Sequence, residues 1–152
     1  MVARGSFQVT LVAAALALSA TDVAAARKGT IVITDHEVDS RSPTFEKDLK
    51  KASRDTLNKG VEGWNLFLVA YLKKAAGAEE VNLVFYEWDG KKAGEQVNAF
   101  PIATSAKAEI LASTVAVSPE QGFKAGTRYE VLITRLIGGK EDVYAKTILT
   151  LK

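Results

Sequence analysis

The stretch Tyr129-Glu130-Val131-Leu132-Ile133-Thr134-Arg135-Leu136-Ile137, then Gly138-Gly139-Lys140-Glu141-Asp142, then Val143-Tyr144-Ala145-Lys146-Thr147-Ile148-Leu149-Thr150-Leu151, decides the fold class. Two runs rich in β-branched and aromatic residues flank a double glycine. This reads as a hairpin, because tight hairpin turns require positive φ, which glycine adopts without steric cost. Working back along the chain, Val81 to Trp88 is another strong strand, ending in the turn Asp89-Gly90-Lys91-Lys92. Trp64 to Leu72 is apolar at nearly every position and suits a central strand. Weaker β-like stretches run from Gln96 to Ile102 and from Glu109 to Val117, and Gly29 to Thr34 reads as a first strand; Ser118 to Gly122 is a break. From Thr44 to Asn58 the spacing changes. Phe45, Leu49 and Ala52 fall at i, i+4 and i+7, which predicts a short helix that Ser42 or Thr44 would cap and Gly60 would stop. Together these elements predict a mainly β protein. Its expected form is an antiparallel sandwich of about seven strands with one short helix near 44–58.

The residues leading into the final hairpin sharpen that expectation. Phe123-Lys124-Ala125-Gly126-Thr127-Arg128-Tyr129-Glu130-Val131 resembles the corner of fibronectin type III and immunoglobulin-like domains, where Gly-Thr and then Tyr open the penultimate strand. The resemblance implies an immunoglobulin-like β-sandwich in which Tyr129 packs in the core and its hydroxyl bonds to upstream backbone. It also implies a buried tryptophan, a role open to Trp64 or Trp88. Ala125 departs from the pattern, since the fibronectin corner usually has Pro there, and the cysteine pair of antibody domains is missing. Such a fold says nothing of function by itself.

Composition removes several classes of activity. The 152 residues carry 20 Lys+Arg against 18 Asp+Glu, and a formal charge of +2 gives no reason to expect a nucleic-acid partner. With no cysteine there can be no disulfide, thiolate zinc or cysteine nucleophile, and one histidine leaves little acid–base chemistry. A non-catalytic protein without a cofactor is expected. At the N-terminus, Arg4 precedes the uncharged apolar run Leu11 to Ala20, and Ala24 and Ala26 form the small-x-small pattern of a signal-peptidase site. Ten apolar residues reach about 15 Å as a helix, half of the roughly 30 Å hydrocarbon layer. The expectation is therefore cleavage after Ala26, no membrane span afterwards, and a single secreted or periplasmic domain over 27–152 of 152 − 26 = 126 residues.

Two surfaces stand out as candidate sites. If Tyr129, Val131 and Ile133 face the core, strict alternation turns Leu132 and Leu136 outward, and the same argument turns Tyr86, Trp88, Tyr144 and Ile148 outward. Soluble proteins rarely expose such a patch, so the segment from Phe45 to Leu57, a loop of the same chain, a protein partner, a second copy or an apolar ligand should cover it. The second candidate is acidic. Asp35, Glu37, Asp39 and Glu46 match positions 1, 3, 5 and 12 of an EF-hand calcium loop, although position 6 is Ser40 rather than glycine and a strand precedes the run. A solvated acidic strand end is the competing reading. His36 lacks nitrogen or sulfur partners for a transition metal, and no Gly-x-Ser-x-Gly elbow is present. The basic residues Lys47, Lys50, Lys51, Arg54 and Lys59 alternate with Glu46, Asp48 and Asp55, as on a solvated helix face. The expected function is an exported binding or accessory module of the cell envelope that meets a protein partner through an aromatic sheet face or an edge strand. The alternatives are a small secreted hydrolase or carbohydrate-active protein, and a calcium-stabilised structural module.

Overall fold

The structure, a computed structural model, describes residues 10–12 and 27–152. Ala24, Ala26 and the apolar run beyond Val12 lie outside the described residues. In chain order the elements are β1 (Thr10–Val12), β2 (Thr30–Thr34), α1 (Phe45–Ala52), β3 (Thr56–Leu57), β4 (Trp64–Tyr71), β5 (Glu80–Trp88), β6 (Ala93–Ala103), β7 (Ile110–Val117), a 3₁₀ turn (Pro119–Gln121), β8 (Thr127–Ile137) and β9 (Lys140–Leu151). Strand accounts for 53% of the described residues and helix for 9%, which makes the protein mainly β with one short α-helix, as the sequence predicts.

The strands form one curled, half-barrel sheet in the order β1-β7-β4-β2-β9-β8-β5-β6, with β3 added beside β9. The sheet is mixed rather than antiparallel throughout. β2 meets β9 in parallel at Thr30 and Lys146, β3 runs parallel to β9, and every other pairing is antiparallel. The final hairpin forms as the sequence predicts but with a tighter turn. Ile137 pairs with Lys140, so Gly138 and Gly139 alone make the loop, at φ 60° and 81°. Two successive positive φ values match the twist of the flanking strands.

The main core lies within the curl. Alternate residues of β4 (Trp64, Leu66, Leu68, Ala70) meet Ile31 and Ile33 of β2, Leu83 and Phe85 of β5, Val131 and Ile133 of β8, and Leu149 and Leu151 of β9. Phe85, Phe100, Phe123 and Tyr129 form an aromatic cluster at one end, with edge-to-face centroids of 5.0 Å between Phe85 and Phe123. Tyr129 has no exposed surface, and its hydroxyl accepts a hydrogen bond from the Lys124 N–H at 2.8 Å. Trp64 is the buried tryptophan, donating from Nε1 to the Lys152 carbonyl at 3.1 Å.

The apolar character of β4 on both faces has a local cause. Val69 and Tyr71 point away from the main core into a second cluster, where Leu49 and Phe45 of α1, Val32, Val38, Ile110 and Ala112 cover them. The helix therefore packs on the outer face of β2, β4 and β7. It does not cover the face carrying Tyr86 and Trp88, one of the covers the sequence suggests for that face. It is also shorter than 44–58, because Leu57 is drawn into the main core by the parallel pairing of β3 with β9.

Candidate functional site

Outward alternation on β5, β8 and β9 holds only in part. Tyr86 pairs with Glu130, which pairs with Ile148, so the two half-buried apolar side chains flank a carboxylate in one row across the sheet. Burial and the Glu141 carboxylate, which accepts from the Tyr86 hydroxyl at 3.2 Å, push that phenol's pKa up. Leu132 pairs with Val84 in the neighbouring row but is only 6% exposed, which corrects its expected role as a presented contact. Trp88 is half-buried opposite Ala93 near the end of β5, and Leu136, 63% exposed, sits beside the hairpin turn.

Tyr144 is a clear correction. It is 1% exposed, lies in the main core, and donates its hydroxyl to the Ala76 carbonyl at 3.1 Å. Thr134 pairs with Val143 while Ile133 pairs with Ala145, so Tyr144 is an extra residue in β9. Such a bulge resets the two-residue alternation and turns an expected outward side chain inward. The six residues thus do not make one aromatic patch.

The acidic segment resolves into separate pairings. The Asp35 carboxylate accepts from His36 Nδ1 at 2.7 Å and lies 3.4 Å from Arg54 Nε; the His36 hydrogen bond is the main cause of a carboxyl held below its usual range. Asp39 accepts from the Arg41 N–H at 2.9 Å in a local turn, and Glu37 lies on the same exposed loop. Glu46 belongs to α1 and is turned the other way. Its Oε2 accepts from the Tyr71 hydroxyl at 2.7 Å, and its buried Oε1, without a hydrogen bond, faces Arg27 Nε at 3.7 Å. Burial first, and the Glu46 carboxylate second, push the Tyr71 phenol strongly upward. This arrangement pins the helix to β4, and among the described residues no three acidic or histidine side chains group as metal ligands. The calcium expectation on Asp35, Glu37, Asp39 and Glu46 is corrected accordingly: helix packing takes Glu46 away from the loop.

Between that loop and the sheet lies a groove of about 270 Å³. Phe45 and Leu49 of α1 and the segment Glu37–Arg41 form one side; Phe67 and Val69 of β4 and Ala112, Ser113 and Thr114 of β7 form the floor. The same three residues of β7 pair, on their other side, with Thr10, Leu11 and Val12 in antiparallel register. β7 is otherwise at the end of the sheet. Its sequence, Ile110-Leu111-Ala112-Ser113-Thr114-Val115-Ala116-Val117, contains no charge, proline or glycine. The opposite edge, β6, differs on every count: it carries Glu95 and Pro101, and its register shifts twice against β5. Charges, proline and bulges are the devices by which natural edges resist strand addition, so one edge is guarded and the other is not.

In the sequence β7 reads only as a weak strand over Glu109 to Val117. The signal available was an uncharged alternating octet, Leu111, Ser113, Val115 and Val117 buried with smaller residues between them; its position at an edge followed only from the topology. Comparisons of the chain with protein-family models, with curated proteins and with solved structures found no match.

Proposed function

We propose that the chain is an exported, non-catalytic immunoglobulin-like module that binds a protein partner in the cell envelope through a sheet edge. The sandwich reading is supported by strand order. On either side of the parallel contact between β2 and β9 stand β2-β4-β7 and β9-β8-β5-β6, the order of the A-B-E and G-F-C strands of an immunoglobulin-like domain with one added strand. The buried Tyr129 bonded to the Lys124 N–H also supports it. Export is inferred from Arg4, the apolar run and the Ala24/Ala26 pair.

The observation that carries the binding role is the unguarded edge of β7. All eight residues, without charge or proline, pair with β4 on one side, and on the side away from β4 the described residues pair with only three of them, Ala112, Ser113 and Thr114. Backbone groups on such an edge favour pairing with another extended chain. The test is capture from a native envelope extract with the tagged chain, its Ala116→Lys variant and its Trp88→Lys variant. Ala116 is exposed on β7. A partner retained by wild type and Trp88→Lys but released by Ala116→Lys supports the edge; release by Trp88→Lys alone moves the interface to the aromatic face. No partner in any arm would remove the binding role. The mass of the exported chain should correspond to a first residue of Arg27, and an intact N-terminus would refute the leader.

A further inference from the structure

Resting on that reading, we infer that the β7 edge takes an extended, uncharged, apolar segment of the partner protein. The segment adds antiparallel to β7 in the register of Thr10–Val12, with a side chain entering the groove beneath Phe45 and Leu49. The chain's own strand supplies the template. Thr10 pairs with Thr114, Leu11 with Ser113 and Val12 with Ala112, so an antiparallel strand fits this edge without altering β7 or its pairing with β4. That template is uncharged and β-branched at two of its three positions. Removal of the leader after Ala26 would take Thr10–Val12 away and leave the edge open over Ala112–Thr114 as well.

The groove gives the edge its selectivity. In an added strand every second side chain lies on the groove face, and residues opposite Ala112 and Thr114 are those that face it. Ala112 and Thr114 are small, so a neighbour's side chain can lean across them toward Phe45, Leu49, Phe67 and Val69. A volume of about 270 Å³ leaves room for one apolar side chain of an added strand. The charges at the rim, Glu37, Asp39 and Arg41, are of mixed sign, and Asp39 is already paired with Arg41. Selection for a charged segment has no basis there. Main-chain hydrogen bonds would supply affinity and the apolar side chain specificity.

The full-length chain with Leu11→Pro tests this directly. Proline lacks the N–H and cannot sit in the ladder, so the chain's own strand should leave β7, whereas the core, built from residue 31 onward, is untouched. A labelled peptide of residues 7–14 is titrated by fluorescence anisotropy, with amide exchange followed over 110–117. The expected result is peptide binding by the Leu11→Pro chain at least about tenfold tighter than by wild type, whose own strand competes, with slowed exchange in 110–117. The same peptide with Lys in place of Thr10 and Val12 should bind at least about tenfold more weakly, since a buried ammonium is costly. Equal binding of both peptides would leave the edge reading standing and overturn the apolar segment. Binding of neither peptide, whether or not the variant's β7 amides are released, would overturn both. Concentration-dependent dimerisation of the variant with protected β7 amides would show a second copy as the occupant and overturn the partner segment.

Discussion

Replacement of Tyr129 by Phe isolates one hydrogen bond. The ring stays in place against Phe123, whose centroid lies 5.4 Å away, so packing and volume are retained, and only the oxygen that accepts from the Lys124 N–H at 2.8 Å is lost. A net intramolecular hydrogen bond contributes about 0.5–1.5 kcal/mol, and stranding a buried partner costs about 1–3 kcal/mol. Lys124 is exposed and its bond to Tyr129 only part-buried, so water can partly replace the lost oxygen. The expected loss is therefore about 1–2 kcal/mol. For a domain of this size 1 kcal/mol moves the melting temperature by about 4 °C, so a fall of about 4–8 °C should be seen by circular dichroism. Urea unfolding should show a lower midpoint with an unchanged slope, since the exposed area on unfolding is the same. Tyr129→Ala, which also removes the ring, should lose about 3–5 kcal/mol. A Tyr129→Phe midpoint equal to wild type would refute the claim that the corner hydroxyl stabilises the fold.

Further outcomes follow from other positions. Gly63 has φ 145°, and a Cβ there would meet the Val117 carbonyl oxygen, so Gly63→Ala should lose roughly 2–4 kcal/mol in urea unfolding. Leu136→Lys and Ile137→Lys, at sites 63% and 46% exposed, should stay within about 0.5 kcal/mol of wild type, and a larger loss would mean that the hairpin end is packed. Asp35, through His36 chiefly, and Asp89, through the N–H groups of Lys92 and Lys91, are held below the ordinary carboxyl value of about 3.9. A folded pKa below the unfolded one contributes stability above the unfolded value and loses it as pH falls through the folded value. Stability should thus decline below about pH 4, and the Asp35→Asn, Asp89→Asn double variant should show a shallower decline; an identical profile would refute the assignment.

The mainly β character and most individual strands were legible because their signals are local, whereas the mixed sheet order was not. The double glycine at 138–139, the Asp89-Gly90 turn and the apolar run from Trp64 each specify conformation within a few residues. The site was much less legible, since it depends on long-range register. Tyr144 could not be read as buried from strict alternation, because the bulge that turns it inward exists only against Thr134 of β8. Glu46 could not be separated from Asp35, Glu37 and Asp39 without knowing that Tyr71 lies under the helix. Nor does any residue in the helix name the sheet it covers. Phe45 and Leu49 suit either outer face, and the choice falls to β2, β4 and β7 because Val32, Val69, Tyr71 and Ile110 supply the matching apolar surface.

If β7 receives a strand as proposed, the inequality of the two sheet edges also limits how many copies or partners can add. Growth of a filament by strand addition needs a head and a tail, each able to receive the next copy. With β6 closed by Pro101, Glu95 and its bulges, a copy that engages another through β7 presents no second acceptor. On the proposed edge reading, an assembly built on β7 therefore ends after a single addition, one foreign strand or one symmetric mate.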